Sequence, residues 1–249
     1  MFGNRKRKII DIYHYSDKGD RKRNEDTCAV YQKKEKEYLF AVADGLGGHG
    51  EGARASQLAV NTMLENFKEI ELNNPEQLSD WFQDCNKRIL NIQTTNCQMK
   101  TTLVVLHIKD NLAMWAHIGD TRLYHFVDGK ISDQTCDHSV SQMAVFSGEI
   151  KPEEIRGHID RNRLLRAIGS DQNNKAEISD RIELRGKSHA FLLCTDGFWE
   201  YVYEHEMEEA FSNASTAEEW INNMLIYVRK RIKQENDNNT AIAVIVNRK

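Results

Sequence analysis

Carboxylates recur in this chain where an apolar run meets a turn. Phe40-Ala41-Val42-Ala43 ends in Asp44-Gly45, and Phe191-Leu192-Leu193-Cys194 ends in Thr195-Asp196-Gly197. Glu25-Asp26 lead into Thr27–Tyr31, and Asp237-Asn238-Asn239-Thr240 immediately precede a run of small and β-branched residues, Ala241–Val246. One Asp-Gly alone is most often a plain turn. Four such places in one chain weaken that reading, because carboxylates at strand ends can converge on one edge of a sheet. Left unpaired there, they repel one another, so a cation is the natural partner. Oxygen-only donors favour hard ions such as Mg²⁺ or Mn²⁺.

A second pattern competes for the same residues. Gly45-Leu46-Gly47-Gly48-His49-Gly50 matches G-x-G-x-x-G, follows an apolar run and opens a helical pattern, as a dinucleotide-binding fingerprint should. Asp44, directly before it, would face a doubly negative pyrophosphate. The helix is followed by another helix, where a dinucleotide unit needs a parallel strand, and the rest of the chain lacks βα alternation. A dinucleotide-binding enzyme is therefore the weaker alternative. Asp137-His138-Ser139 contains the residues of a hydrolytic triad, but neighbours in sequence cannot converge on one reacting atom. It reads instead as the capped start of a helix. His107, His117 and His125 lie on successive β-like runs, and nothing in the sequence fixes them on one face for zinc, so ordinary sheet positions are expected.

The elements that must position the carboxylates follow from periodicity. Tyr38–Ala43 reads as a buried strand. Ala55, Leu58, Ala59, Met63, Phe67 and Ile70 recur at helical spacing until Glu71–Pro75 breaks the pattern. A second helix carries Leu78, Trp81, Phe82, Cys85, Ile89 and Ile92 on one face. Thr101–Ile108, Leu112–Ile118 and Arg122–Val127 are three closely spaced β-like runs, which predict an antiparallel meander. Ala190–Cys194 is a further strand, and Ala217, Trp220, Ile221, Met224, Leu225, Val228 and Ile232 mark a last amphipathic helix. Paired helices followed by clustered strands predict an α+β fold with largely antiparallel sheet.

Composition excludes whole classes. Of 249 residues, 40% are hydrophobic and 29% charged, so the chain can build a core and is not intrinsically disordered. No apolar run approaches the ~20 residues that span a bilayer. A net charge of −4 gives no basic footprint for nucleic acid. With two prolines and no linker-like stretch or repeat, one continuous domain over residues 1–249 is expected. Cys28, Cys85, Cys97, Cys136 and Cys194 are scattered, which reads as reduced thiols in a cytoplasmic protein. Residues 1–8 form a basic tail with no long apolar segment behind it, unlike a secretory signal.

Six motifs in order along the chain complete the picture: R-x-x-N-E-D (Arg21 to Asp26), D-G-x-G-G-H-x-x-G (Asp44 to Gly52), G-D-[ST]-R (Gly119 to Arg122), D-H-S (Asp137 to Ser139), T-D-G (Thr195 to Gly197) and D-N-x-T (Asp237 to Thr240). Together they resemble the metal-dependent serine/threonine protein phosphatases of type 2C, in their compact bacterial form. The resemblance runs over residues 19–246, nearly the whole chain. It implies a four-layer α-β-β-α sandwich of two antiparallel sheets flanked by helices, with a variable flap at residues 139–162 beside the site. The implied reaction is hydrolysis of phosphoserine and phosphothreonine in proteins by a metal-activated water, using two Mg²⁺ or Mn²⁺ ions and a weaker third.

Residue by residue, the resemblance implies that Asp44 bridges two ions. Glu25 and the carbonyl of Gly45 would hold one, Asp196 and Asp237 the other, and Asp120 with Asp196 the third. Asp26 would orient water, Arg21 would bind the phosphate, Asn238 would support the ligands from behind, and His49 would be structural. Arg21 supplies no ligand, so its loss should leave metal affinity nearly unchanged. The implied partners are phosphoproteins opposite a serine/threonine kinase, with no nucleic acid and no membrane span, and the protein is expected to be a monomer. The chain departs from the family pattern in four places. Leu46 stands where many eukaryotic members carry a histidine taken as the general acid. Gly19 lies one residue closer to Arg21 than usual, Lys100 replaces a glycine, and Thr121 replaces serine. A catalytically weak or inactive relative acting as a binding module is the other alternative. Such relatives lose metal carboxylates, whereas Glu25, Asp44, Asp196 and Asp237 are all present.

Overall fold

A computed structural model describes residues 10–47, 51–95, 97–172, 174–232 and 235–246. Strands β1 (Ile10–Asp17), β2 (Thr27–Lys34) and β3 (Glu37–Ala43) precede a two-residue strand, β4 (Gly45–Leu46). Helices α1 (Glu51–Glu69) and α2 (Pro75–Ile92) come next. They are followed by β5 (Lys100–Thr101), β6 (Leu103–Lys109), β7 (Leu112–Ile118), β8 (Arg122–Val127) and β9 (Lys130–Gln134). Short elements, α3 (Val140–Phe146) and a 3-10 turn at Pro152–Gly157, lead to β10 (Glu177–Ile178), β11 (Ile182–Glu183) and β12 (His189–Cys194). The remaining elements are α4 (Asp196–Trp199), α5 (Glu204–Ser212), α6 (Ala217–Arg231) and β13 (Asn239–Val246).

Two antiparallel sheets form the centre. One has the order β1-β13-β12-β8-β9, and the other β10-β7-β6-β3-β2 with β11 also on β7. Alternation along β3 sets the layers. Leu39, Ala41 and Ala43 pack with Ala59, Met63, Phe67, Trp81 and Phe82 of α1 and α2. Phe40 and Val42 point the other way, into a layer shared with Phe191, Leu193, Ile242 and Val244 of the facing sheet. That sheet turns Leu192, Ala243 and Ile245 outward against Trp220, Ile221 and Met224 of α6. The result is an α-β-β-α sandwich in which both sheets are covered on both faces. Helix starts are locally encoded: Asn74 and Gln77 form a capping box with Pro75 in the first turn of α2, and Thr216 caps α6. Among the described residues, no helix is long and apolar enough to cross a membrane.

The expected meander needs correction. β6 pairs with β7, but β8 leaves for the other sheet and pairs with β12 and β9. The chain crosses between the sheets at Gly119-Asp120. Gly119 adopts φ +98, and a Cβ there would lie 2.7 Å from the Thr102 Cβ, so a side chain would both strain the backbone and collide. This crossing carries Asp120 to the same edge as the other acidic turns.

Candidate active site

Because the ladders are antiparallel, β3, β7 and β12 end on the edge where β2, β8 and β13 begin. Asp44 follows β3, Asp120 joins β7 to β8, and Asp196 follows β12. Glu25 and Asp26 precede β2, and Asp237 and Asn238 precede β13. Arg21, Glu25, Asp44, Gly45, Asp120, Asp196, Asp237 and Asn238 line one cleft of 610 Å³. Lys22, Arg23, Leu46, Gly47, Asn162 and Leu164 complete its walls. Asp26 lies beneath, 8% exposed. His49, with Gly48 and Gly50, falls outside the described residues.

Hydroxyls and amides hold these groups in place. The Asp44 amide donates to Thr102 Oγ1 at 2.9 Å, and the Asp44 carbonyl accepts from Thr101 Oγ1 at 2.7 Å and from the Thr102 amide at 2.9 Å. Thr102 Oγ1 also meets Thr121 Oγ1 at 2.5 Å, which ties Asp44 to the turn bearing Asp120. Asn238 Oδ1 accepts from the Glu25 amide at 2.7 Å, while its Nδ2 donates to the carbonyls of Lys18 and Arg23 at 2.8 and 2.9 Å. One asparagine thus fastens the whole Lys18–Glu25 loop to the start of β13. Gly19, at φ +57, packs on the same loop: a Cβ there would lie 2.7 Å from the Asn236 carbonyl oxygen and closer still to that of Asp237. At Gly52, in the first turn of α1, a Cβ would sit 2.7 Å from Glu25 Oε2 and nearer to the Gly45 oxygen. The two oxygens therefore converge on one small space that only glycine leaves open.

Burial and mutual repulsion dominate the electrostatics. Burial, then Asp26, Asp196, Asp120 and Asp237, hold the Asp44 carboxyl well above the usual range. Burial, then Asp120, Glu200, Asp237 and Asp26, do the same to Asp196. Burial pushes Asp120 up to about 7, with Asp137 adding to it. Burial also pushes Asp26 up to about 7 against the hydrogen bonds it receives. Thr195 Oγ1 donates to Asp26 Oδ2 at 2.9 Å, and the buried Oδ1 has no hydrogen-bond partner in the protein. Burial raises Glu25 as well, with Asp237 contributing. Crowded carboxylates, a backbone carbonyl and an orphaned buried oxygen are the donor set that hard divalent ions take, so the residues present fit such ions.

Arg21 is the main departure from expectation. Its Nε donates to Asp237 Oδ1 at 2.8 Å and its Nη2 to Oδ2 at 2.7 Å. The guanidinium thus occupies the oxygens that Asp237 would offer to an ion. The expectation that Arg21 stands clear of the metal ligands is not met in this structure, since it is paired directly to one of the proposed ligands. Asp137 does not join a triad. It forks onto Arg122 at 2.7 Å through both oxygens, and Ser139 caps α3 by accepting from the Gln142 amide. The histidines are dispersed: His107 lies beside Glu37, His117 stacks on His138 and His125 stacks on His189. His117, His138 and Glu177 do approach one another. However, the two imidazoles are parallel within 6°, and His138 Nδ1 accepts the Gly119 amide, so their lone pairs do not converge on an ion.

Thr195 and Thr121 lie within motifs and Thr102 beside one, but the sequence assigns none of the three a role in holding a carboxylate. The signal that could have found them is adjacency, since each flanks a motif carboxylate or the strand beside one. Asn162 enters the cleft from the end of the flap and Leu164 from just beyond it, which no periodicity could place.

Residues 15–236 match the family described as Protein phosphatase 2C. The chain is 33% identical over 207 residues to the serine/threonine phosphatase stp of Listeria innocua, covering 80% of this chain and 81% of that one. It resembles the solved Mycobacterium tuberculosis serine/threonine phosphatase PstP/Ppp with a TM-score of 0.81 at 28% identity, over 94% of this chain and 97% of the other. The catalytic domain of the serine threonine protein phosphatase PstP in complex with two manganese ions superposes with a TM-score of 0.80 at 26% identity, over 96% and 99% of the two chains.

Proposed function

The chain belongs to the protein phosphatase 2C family and is a serine/threonine protein phosphatase, and we propose that it works through the carboxylate cleft described above. Asp44, Glu25 and the Gly45 carbonyl would hold one Mg²⁺ or Mn²⁺ ion, and Asp44, Asp196 and Asp237 a second. Asp120 with Asp196 would hold a third. The observation that carries this reading is the crowding of Asp44 and Asp196 with Asp26, Asp120 and Asp237, a cost in free energy that bound cations reverse while leaving the carboxylates ionised. When bound, such ions supply Lewis acidity toward the phosphoryl oxygens and a water acidic enough to attack at neutral pH.

The chain's own residues do the rest. Asp26 Oδ1, unpartnered beneath the cleft, accepts a hydrogen bond from the attacking water and aims it. Thr195 fixes the other oxygen of that carboxylate, so the acceptor cannot swing away. Arg21 exchanges Asp237 for the phosphate, whose paired oxygens suit the same planar fork. Leu46 offers no proton at the cleft wall, so the leaving alcohol takes its proton from water. None of the five cysteines lines the cleft, and burial raises the thiols of Cys85 and Cys194, so a direct attack by water fits better than a covalent thiol route.

The substrates are phosphoproteins, which implies an opposing serine/threonine kinase. Every proposed ligand comes from one chain, in keeping with a monomer, and five free, scattered cysteines suit a reducing cytoplasm. Neither alternative is favoured. Every ladder among the described residues is antiparallel, unlike a dinucleotide-binding sheet, and an inactive module would lack part of this carboxylate set. The test is hydrolysis of a phosphothreonine peptide with added Mn²⁺ and with excess chelator. Turnover should vanish in chelator and return with the metal; unchanged turnover in chelator would refute the metal mechanism.

A further inference from the structure

The cleft continues beyond the carboxylates. Leu46 and Leu164 at its wall also border an adjoining depression of 360 Å³ that includes Lys100, Leu165 and Arg166. Leu165 and Arg166 in turn border a pocket of 170 Å³, closed by Met143 and Phe146 of α3. Leu46 and Leu164 stand between the first two cavities and Leu165 and Arg166 between the second and third, so the three lie in a row from the carboxylate cleft to α3. Its far end presents three large apolar side chains to solvent, Met143 51% exposed, Phe146 64% and Leu165 45%, over a floor that includes Asp137, His138, Ser139 and Glu177. Clustered large apolar side chains at a surface mark a contact site. Its middle is cationic, with Lys100 and Arg166 exposed and Asp171 on the same depression.

The walls are held by backbone hydrogen bonds. The Val140 amide donates to the Arg163 carbonyl at 2.9 Å, and the Leu165 amide to the His138 carbonyl at 2.8 Å. A groove braced in this way loses little freedom when it is filled. The terminal pocket has the size of a cavity that accepts a benzene ring, about 150 Å³. A phosphorylated residue in the cleft is bonded to polypeptide on both sides, so substrate must leave the cleft along the surface. The groove offers it depth, cations near the phosphate and an apolar end.

Resting on the phosphatase reading, we propose that this groove is a substrate track that selects phosphoproteins with an aromatic or bulky aliphatic residue a few positions from the phosphorylated one. Met143, Phe146 and Leu165 receive that side chain, and Lys100 and Arg166 favour acidic residues between the two. The occupant is substrate polypeptide rather than a second copy of the chain, because the exposed apolar side chains lie in a row with the carboxylate cleft and two cations, Lys100 and Arg166, stand between.

The test uses the Mn²⁺-loaded protein and synthetic phosphothreonine peptides in which one Phe is moved through the flanking positions of an alanine-rich host. Phenyl phosphate serves as the substrate without flanks. At the favoured position, Phe should raise kcat/KM over Ala by about five- to tenfold, the scale on which an apolar pocket discriminates. The double variant Met143→Ser, Phe146→Ser should abolish that gain and leave phenyl phosphate turnover unchanged. Both side chains are exposed, so the fold should tolerate the change, and Leu165→Ser provides an independent repeat. Lys100→Glu should erase any advantage of an intervening Glu. Absence of positional preference, or a preference that survives the double variant, would overturn the inference. So would a double variant that alters only the sedimentation of the protein, since the surface would then serve a second copy. If wild type hydrolyses neither peptides nor phenyl phosphate, the phosphatase reading itself has failed, which is a distinct outcome.

Discussion

Asp196, the first residue of α4, and Asp237, ahead of β13, are brought together at Gly197, where a Cβ would lie 3.4 Å from the Asp237 Cβ and against the Asn238 carbonyl. Changing either aspartate to Asn keeps its shape and removes its charge. Each change should lower kcat by about 10²-fold or more, since a ligand to a catalytic ion supports several kcal/mol of transition-state stabilisation. Asp196→Asn should also melt higher than wild type in chelator, because burial and four neighbouring carboxylates disfavour its charge. Steady-state kinetics and melting curves on both variants check this, and near wild-type rates at limiting metal would place the site elsewhere. Arg21→Ala should cost about 1.5–3 kcal/mol in kcat/KM, the scale of a charge-assisted hydrogen bond. The same change frees Asp237, so calorimetric Mn²⁺ affinity should rise rather than stay level. Arg21→Lys should restore only part of the kinetics, for want of the planar fork. At this scale much was legible. The carboxylates, Arg21 and Asn238 stood out because charged and amide side chains at strand ends have few structural uses. The threonines that fix them did not, because a hydroxyl within hydrogen-bond reach is a fact of tertiary distance.

At the scale of elements, the first turn of α1 separates two effects that oppose each other. Gly52→Ala removes a flexible residue from a helix, which by propensity alone stabilises by roughly 0.5–1 kcal/mol. The added Cβ would occupy the space where Glu25 Oε2 and the Gly45 oxygen converge. The expected outcome is a variant that stays folded in chelator but binds Mn²⁺ more weakly than wild type, as calorimetry would read; unchanged affinity would show that these oxygens hold no ion. Helices and strands were largely legible, because the helices keep a 3.6 period and Phe40 and Val42 alternate with Leu39, Ala41 and Ala43. Sheet membership was not. Both sheets are buried on both faces, so β7 and β8 present similar apolar runs, and the crossing between them at Gly119, with its positive φ and its close approach to Thr102, is a feature of tertiary structure. The strand β9 was missed for a related reason: Lys130–Gln134 is polar and mostly exposed at a sheet edge, without a periodic signal.

For the molecule as a whole, the crowded acids make stability depend on pH and metal together. Asp26 and Asp120 titrate near 7 when folded, against an ordinary carboxyl value of 3.8. Between about 4 and about 7, the native state therefore holds protons that the unfolded chain has released. Stability then falls as pH rises through that window. Asp44 and Asp196, shifted in the same direction, extend the decline. Glu204 and Glu206 are lowered despite their burial by their arginine partners, and they act in the opposite sense only as the pH drops below the carboxylate range. In chelator, the melting temperature should decrease from about pH 5 to about pH 8, and saturating Mn²⁺ should remove that slope. A flat profile without metal would mean the acids do not crowd one another in solution. The ladder between the two outermost segments has a different kind of consequence. Among the described residues β1 pairs with β13 alone, Ile10 opposite Val246 through Asp17 opposite Asn239, and Asp237 sits directly ahead of β13. During synthesis, the first strand must wait beside the ribosome for its partner until residue 246 has emerged. A nascent chain that stops short of residue 237 lacks Asp237 and the asparagine that fastens the Lys18–Glu25 loop, so the early carboxylates gain these partners only when β13 arrives.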